Sequence, residues 1–83
     1  MFIVGVKDKL AKKFIQIVPT ANLDVLKRDF KNVFSQKNNI MAEFPEDFDI
    51  YNLGSIEEES GVCTPTVDLL FNLAEIKDEV QVQ

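Results

Sequence analysis

At 83 residues, with 46% apolar side chains and seven Phe, the chain has material for one small core and none for a second. A single cysteine, Cys63, rules out an internal disulfide, and the absence of histidine removes imidazole bases and His metal ligands. The net charge of −5 conceals a division: residues 1–38 carry eight bases against three acids, and residues 39–83 one base against eleven acids.

The chain is read as one domain spanning 1–83. Without a disulfide or a metal motif, so short a chain is expected to gain stability by self-association, as a dimer or higher homo-oligomer. No apolar run approaches the roughly 20 residues of a membrane span, so no membrane is expected as a partner. Met1-Phe2-Ile3-Val4-Gly5-Val6-Lys7 has no basic segment ahead of its apolar run, so it does not read as a signal peptide. The expectation is a soluble intracellular protein. Either the two halves neutralise each other within the fold, or a basic face meets an anion, or an acidic face docks a basic partner.

In chain order, Phe2–Val6 reads as a strand with one glycine, and Phe14–Val18 as a second strand that Pro19 should stop. The polar Lys7–Lys13 segment between them makes a hairpin and crowds four lysines at its end, either to blunt a sheet edge or to contact an anion. A helix is expected from about Leu23 to Gln36, capped by Asn22 or Thr20, with Lys37 near its end and the Asn38-Asn39 pair beyond. Leu23, Leu26, Phe30, Val33 and Phe34 share one face of it, while Lys27, Arg28 and Lys31 lie on another.

Pro45-Glu46-Asp47 reads as an acidic turn before a strand from Phe48 to about Ile56. Apolar groups on both faces of that strand suit a central position, or a face covered by a second subunit. Glu57-Glu58-Glu59-Ser60-Gly61 is a solvated turn lacking the ligand spacing of a calcium loop. Val62-Cys63-Thr64 should return as a short strand. Thr64-Pro65 then resembles a helix start, with Val67, Leu70, Phe71 and Ala74 on one face and Leu69, Leu73 and Ile76 widening it. So apolar a helix suggests a subunit interface, and Lys77 onward reads as a frayed or extended tail. The fold expected is α+β: a small antiparallel sheet of three to four strands (hairpin, helix, strand pair), one main amphipathic helix and a short C-terminal helix.

No nucleophile–base pair, metal cluster or phosphate-cradling glycine loop can be assembled, so the chain is not expected to be an enzyme or to bind a metal or cofactor. The run Pro45-Glu46-Asp47-Phe48-Asp49-Ile50-Tyr51-Asn52-Leu53-Gly54-Ser55-Ile56, followed by an acidic turn with Gly61 and then Pro65, resembles the small non-structural protein of gokushovirus-type microviruses, single-stranded DNA bacteriophages. The chain departs from that pattern in having Ile56-Glu57 where the family often has Phe-Asp, and a shorter stretch from Gly61 to Pro65. The resemblance implies a protein of the host bacterial cytoplasm, associated with viral single-stranded DNA synthesis or DNA binding and absent from the capsid.

The residue-level reading allows the same role. Lys7, Lys9, Lys12, Lys13, Lys27, Arg28 and Lys31 are the expected phosphate contacts, and Tyr51, Phe14 or Phe48 could stack bases where exposed. The net negative charge opposes it. The expected function is a non-enzymatic phage accessory protein acting in viral single-stranded DNA synthesis or packaging, with single-stranded DNA or viral and host replication proteins as partners. The alternative is an adaptor or inhibitor docking a basic host or viral protein through Glu46, Asp47, Glu57, Glu58, Glu59, Asp78 and Glu79. A third reading is an assembly protein that uses the Val67–Ile76 segment.

Overall fold

Alternation in the first strand, β1 (Phe2–Asp8), sends Val4 and Val6 to one side and Ile3, Gly5 and Lys7 to the other. Three further strands, β2 (Lys13–Thr20), β3 (Phe48–Ile56) and β4 (Cys63–Asn72), join it in the order β2-β1-β3-β4. Every neighbouring pair is antiparallel. The architecture comes from a computed structural model that describes residues 1–35 and 38–81, with side chains up to Lys77. It is the expected α+β fold. The expected helix end at Gln36, with Lys37 in its last turn, lies outside the described residues.

Helices cover one face of the sheet. The connection from β2 is a 13-residue helical run: a 3-10 turn at Leu23–Val25, helix α1 (Leu26–Lys31) and a second 3-10 turn at Asn32–Ser35. Asn22 caps it, its side-chain oxygen accepting from the Asp24 amide at 2.8 Å. The Thr20 hydroxyl bonds back to both the amide and the carbonyl of Asn22, at 3.3 and 3.1 Å. Leu26 enters the core, with Leu23, Phe30 and Phe34 packed against it, as their spacing implies. Asn39 then caps a one-turn helix that the sequence did not suggest, α2 (Ile40–Glu43), which leads into the 3-10 turn Pro45–Asp47.

The core is Val4, Val6, Leu26, Phe48, Ile50, Phe71, Leu73 and Ile76, packed between the sheet and the helices that cover it. Phe30 meets Phe71 edge-to-face at 6.1 Å between ring centroids.

Two expectations near the C-terminus are corrected. Residues from Cys63 to Asn72 form a ten-residue strand, and the last helix, α3 (Leu73–Gln81), starts eight residues later than the Thr64-Pro65 signal implies. Thr64, Thr66 and Val67 favour extended backbone, and pairing with β3 outweighs the local cap. α3 also carries regular helix through Gln81, where the sequence suggests a frayed or extended tail from Lys77; Val82 and Gln83 lie outside the described residues. The apolar residues of the segment read as a subunit interface divide between the two sides: Phe71, Leu73 and Ile76 are buried within the chain, while Val67 and Leu69 stay exposed.

Asn72 defines the real helix start. Its oxygen accepts from the Ala74 amide at 2.8 Å, while the Glu75 carboxylate accepts from the Asn72 amide at 3.1 Å, a reciprocal capping box.

Pro19 does not end β2. It pairs opposite Ile3 inside the strand, because β2 is an edge and a missing N–H on the outer side costs no ladder bond. Gly54 is a stricter requirement. Its φ is 137°, and a Cβ there would run into the Thr64 carbonyl oxygen across the β3–β4 pair.

Candidate nucleic-acid interface

The register fixes two ends of the sheet. At one, Asp8 pairs with Lys13 and with Phe48, which puts the β1–β2 turn there. At the other, Phe2 pairs with Ser55 and Ile56 with Cys63, which puts the Glu57–Gly61 turn there. The lysine hairpin and the glutamate turn therefore sit at opposite ends of one sheet.

The hairpin tip has a defined shape. The Asp8 carboxylate accepts from the amides of Leu10 and Ala11, at 2.9 and 3.2 Å, and the Asp8 carbonyl accepts from the Lys12 amide at 2.8 Å. Lys12 adopts a left-handed φ of 60° to close the turn. The Lys9 amide donates to the Asp47 carbonyl at 2.8 Å, which ties the tip to the Pro45–Asp47 turn. Lys9, Lys12 and Lys13 are exposed around it. Asp8, Glu46, Asp47 and Asp49 share this end and balance the charge. Two of these acids are committed locally, Asp8 to the turn amides and Asp49 to the Asn72 side-chain amide at 2.7 Å.

Lys7 belongs to the face of the sheet that, among the described residues, no helix covers. A β-bulge between Val6 and Lys7 leaves Ile15 as an extra residue in β2 and brings Phe14 opposite Lys7. Strict alternation would have turned Phe14 to the helical side. Tyr51, opposite Gly5 in the register, stands beside it, and the two rings meet edge-to-face at 5.4 Å between centroids. The Lys7 ammonium lies 5.8 Å from the Phe14 centroid and 5.9 Å from that of Tyr51, within cation–π range of both.

Gly5 makes this closeness possible. A Cβ there would stand 2.6 Å from Leu53 Cδ1 and 2.8 Å from Phe14 Cδ1, so only glycine lets both side chains lie against the strand. Ile17 and Leu69, respectively 60% and 58% exposed, extend the apolar surface on either side.

The seven basic candidates do not form one group. Lys7, Lys9, Lys12 and Lys13 gather at the hairpin end, while Lys27, Arg28 and Lys31 belong to the helical layer across the sheet. The Lys27 ammonium sits 5.7 Å over the Phe71 ring, itself part of the core. Of the three aromatics named from sequence, Phe14 and Tyr51 are half-buried on the open face. Phe48 is only 2% exposed, because alternation turns it under the helices, and it cannot stack a base. The sequence reading missed the association of Lys7 with the two rings. Its only trace there is Gly5, an isolated glycine inside a strand, which signals a close approach.

Among the described residues no cluster of acidic or sulfur ligands could hold a metal ion, and no helix is long and apolar enough to cross a membrane. A cleft opens between β2 and α1, lined by Gln16, Val18, Asp29, Phe30 and Met41 among others, away from the hairpin lysines. Residues 1–76 match the Phage ORF5 protein family, from the first strand through the start of α3. The chain belongs to that family. It is thus a bacteriophage protein, and in this chain the stretch Pro45–Gly61 that carries the sequence resemblance forms the 3-10 turn, strand β3 and the acidic turn that follows. No curated protein and no solved structure shows a significant match to the chain.

Proposed function

We propose that this phage protein is a non-enzymatic accessory factor of the gokushovirus-type microviruses, which binds nucleic acid in the host cytoplasm during single-stranded genome synthesis or packaging. The observation that carries the reading is the gathering of Lys7, Lys9, Lys12 and Lys13 at one end of the sheet, opposite the glutamate turn. Ammonium groups on a turn of fixed shape can follow a phosphate backbone, while the net charge of −5 keeps affinity modest and salt-sensitive. Lys27, Arg28 and Lys31 supply a second basic strip on the helical layer.

The test is fluorescence anisotropy of a labelled single-stranded oligonucleotide at two salt concentrations. With three phosphate contacts, moving from about 50 to about 200 mM salt weakens binding roughly tenfold to twentyfold. The Lys12→Glu/Lys13→Glu variant should lose most of the affinity that remains. Absence of binding at low salt would remove the direct role.

A second reading draws on the exposed Glu57, Glu58 and Glu59, which present an acidic tip to a basic host or viral protein at the far end of the sheet. A Glu57→Lys/Glu58→Lys variant separates the two, since it should abolish such docking and leave oligonucleotide binding intact or improved.

A further inference from the structure

We propose that Phe14, Tyr51 and Lys7 on the open face form a nucleobase-stacking site, which takes an unpaired base of a single strand and sets the neighbouring phosphate beside the lysine. This rests on the nucleic-acid reading above and goes beyond it, because phosphate contacts at the hairpin would not by themselves distinguish a single strand from a duplex.

Neither ring belongs to the buried core, which lies wholly on the other side of the sheet. Phe14 is held on the open face by the bulge at Ile15 and by its packing over Gly5, and Tyr51 by its edge-to-face contact with Phe14. A partly exposed ring held in a fixed position on a sheet face gives a base somewhere to lay its π-face, and every base has one, so such a site tolerates sequence. In a duplex those faces are already stacked, which restricts the site to unpaired nucleotides.

A second copy of the chain is the competing occupant of so apolar a face. The position of Lys7 decides between them. Its ammonium stands against both rings at the hairpin end of the patch, so a second copy that covered the rings would have to take this charge out of water without a partner. A nucleotide needs the opposite arrangement, an apolar surface for the base with a cation within reach of its phosphate. The face also leads through Lys7 along β1 to the turn that carries Lys9 and Lys12.

Tyr51 reports on its own occupancy, because it is the only tyrosine and the chain has no tryptophan. We expect its emission to be quenched on titration with oligothymidylate and to stay unchanged with a base-free abasic strand of equal length. In anisotropy, Tyr51→Leu should weaken oligothymidylate binding about tenfold while leaving the abasic strand unaffected. Tyr51→Phe keeps the ring and should bind as the parent does, which separates loss of stacking from loss of fold. Equal binding of both strands with unchanged Tyr51 emission would overturn the stacking site and leave the phosphate reading standing. Failure of both strands to bind at low salt would overturn both. A dimer in sedimentation without nucleic acid, converted to monomer by Ile17→Lys, would show the face closed by a second copy and would also overturn the proposal.

Discussion

The two faces of the sheet use much the same residue types to opposite ends. On the helical side Val4, Val6 and Ile50 are completely buried, and Phe48 and Phe71 nearly so. On the other side Ile17, Val67 and Leu69 are more than half exposed, and Phe14 and Tyr51 are packed chiefly against each other. Burial, and hence most of the hydrophobic stabilisation, accrues to one face. Apolar side chains that the fold leaves in water contribute little to holding it together, so the open face is where binding can be selected without disturbing the core.

This asymmetry can be broken most severely at Ile50, the centre of the covered face. Ile50→Ala should cost about 2–5 kcal/mol, lost contacts and residual cavity together, and urea unfolding would measure it. A loss below about 1 kcal/mol would mean that the helical layer does not pack as described. Gly54 comes next. Gly54→Ala forces a side chain into a left-handed backbone and against the Thr64 carbonyl, so a destabilisation of about 1–3 kcal/mol is expected from backbone strain alone. Thermal unfolding that matches the parent would refute the close approach of β3 and β4.

Asn72→Ala should cost about 0.5–2 kcal/mol through the lost cap of α3. The sharper readout is circular dichroism, where helix content should fall with the sheet signal retained. The smallest effect belongs to the open face: Ile17→Thr should change stability by no more than about 0.5 kcal/mol, because it removes little buried area. A loss comparable to that of Ile50→Ala would show that something covers this face in solution and would erase the contrast between the two sides.

How far the sequence revealed this arrangement depended on which period governed each segment. The helix after β2 was legible because Leu23, Leu26, Phe30 and Phe34 repeat at helical spacing and Asn22 caps their run. β4 was misread because Val67, Leu70, Phe71 and Ala74 fit the same spacing, and only long-range pairing with β3 decides for a strand. The basic hairpin was legible as a loop with lysines, but its strands run further than expected, and Pro19 lies inside one of them.

The candidate site was harder to see for a geometric reason. A strand's sequence gives the alternation of its side chains but not which set turns toward the helices, and a bulge resets that alternation midway. Phe48 and Tyr51 thus had equal claim to exposure until the register was known. Phe14 reaches Lys7 only because Ile15 is the extra residue at the bulge.

One side chain joins segments that are distant along the chain. Besides capping α3, the Asn72 amide nitrogen donates to the Glu46 carbonyl at 3.1 Å, to the Phe48 carbonyl at 3.2 Å and to the Asp49 carboxylate at 2.7 Å. Unwinding the first turn of α3 withdraws a donor from three acceptors in the Pro45–Asp49 segment, and that segment also receives the hairpin through the Lys9 amide. We therefore expect the C-terminal helix, the 3-10 turn and the lysine tip to open as one cooperative unit, with hydrogen exchange of their amides sharing a single free energy of opening.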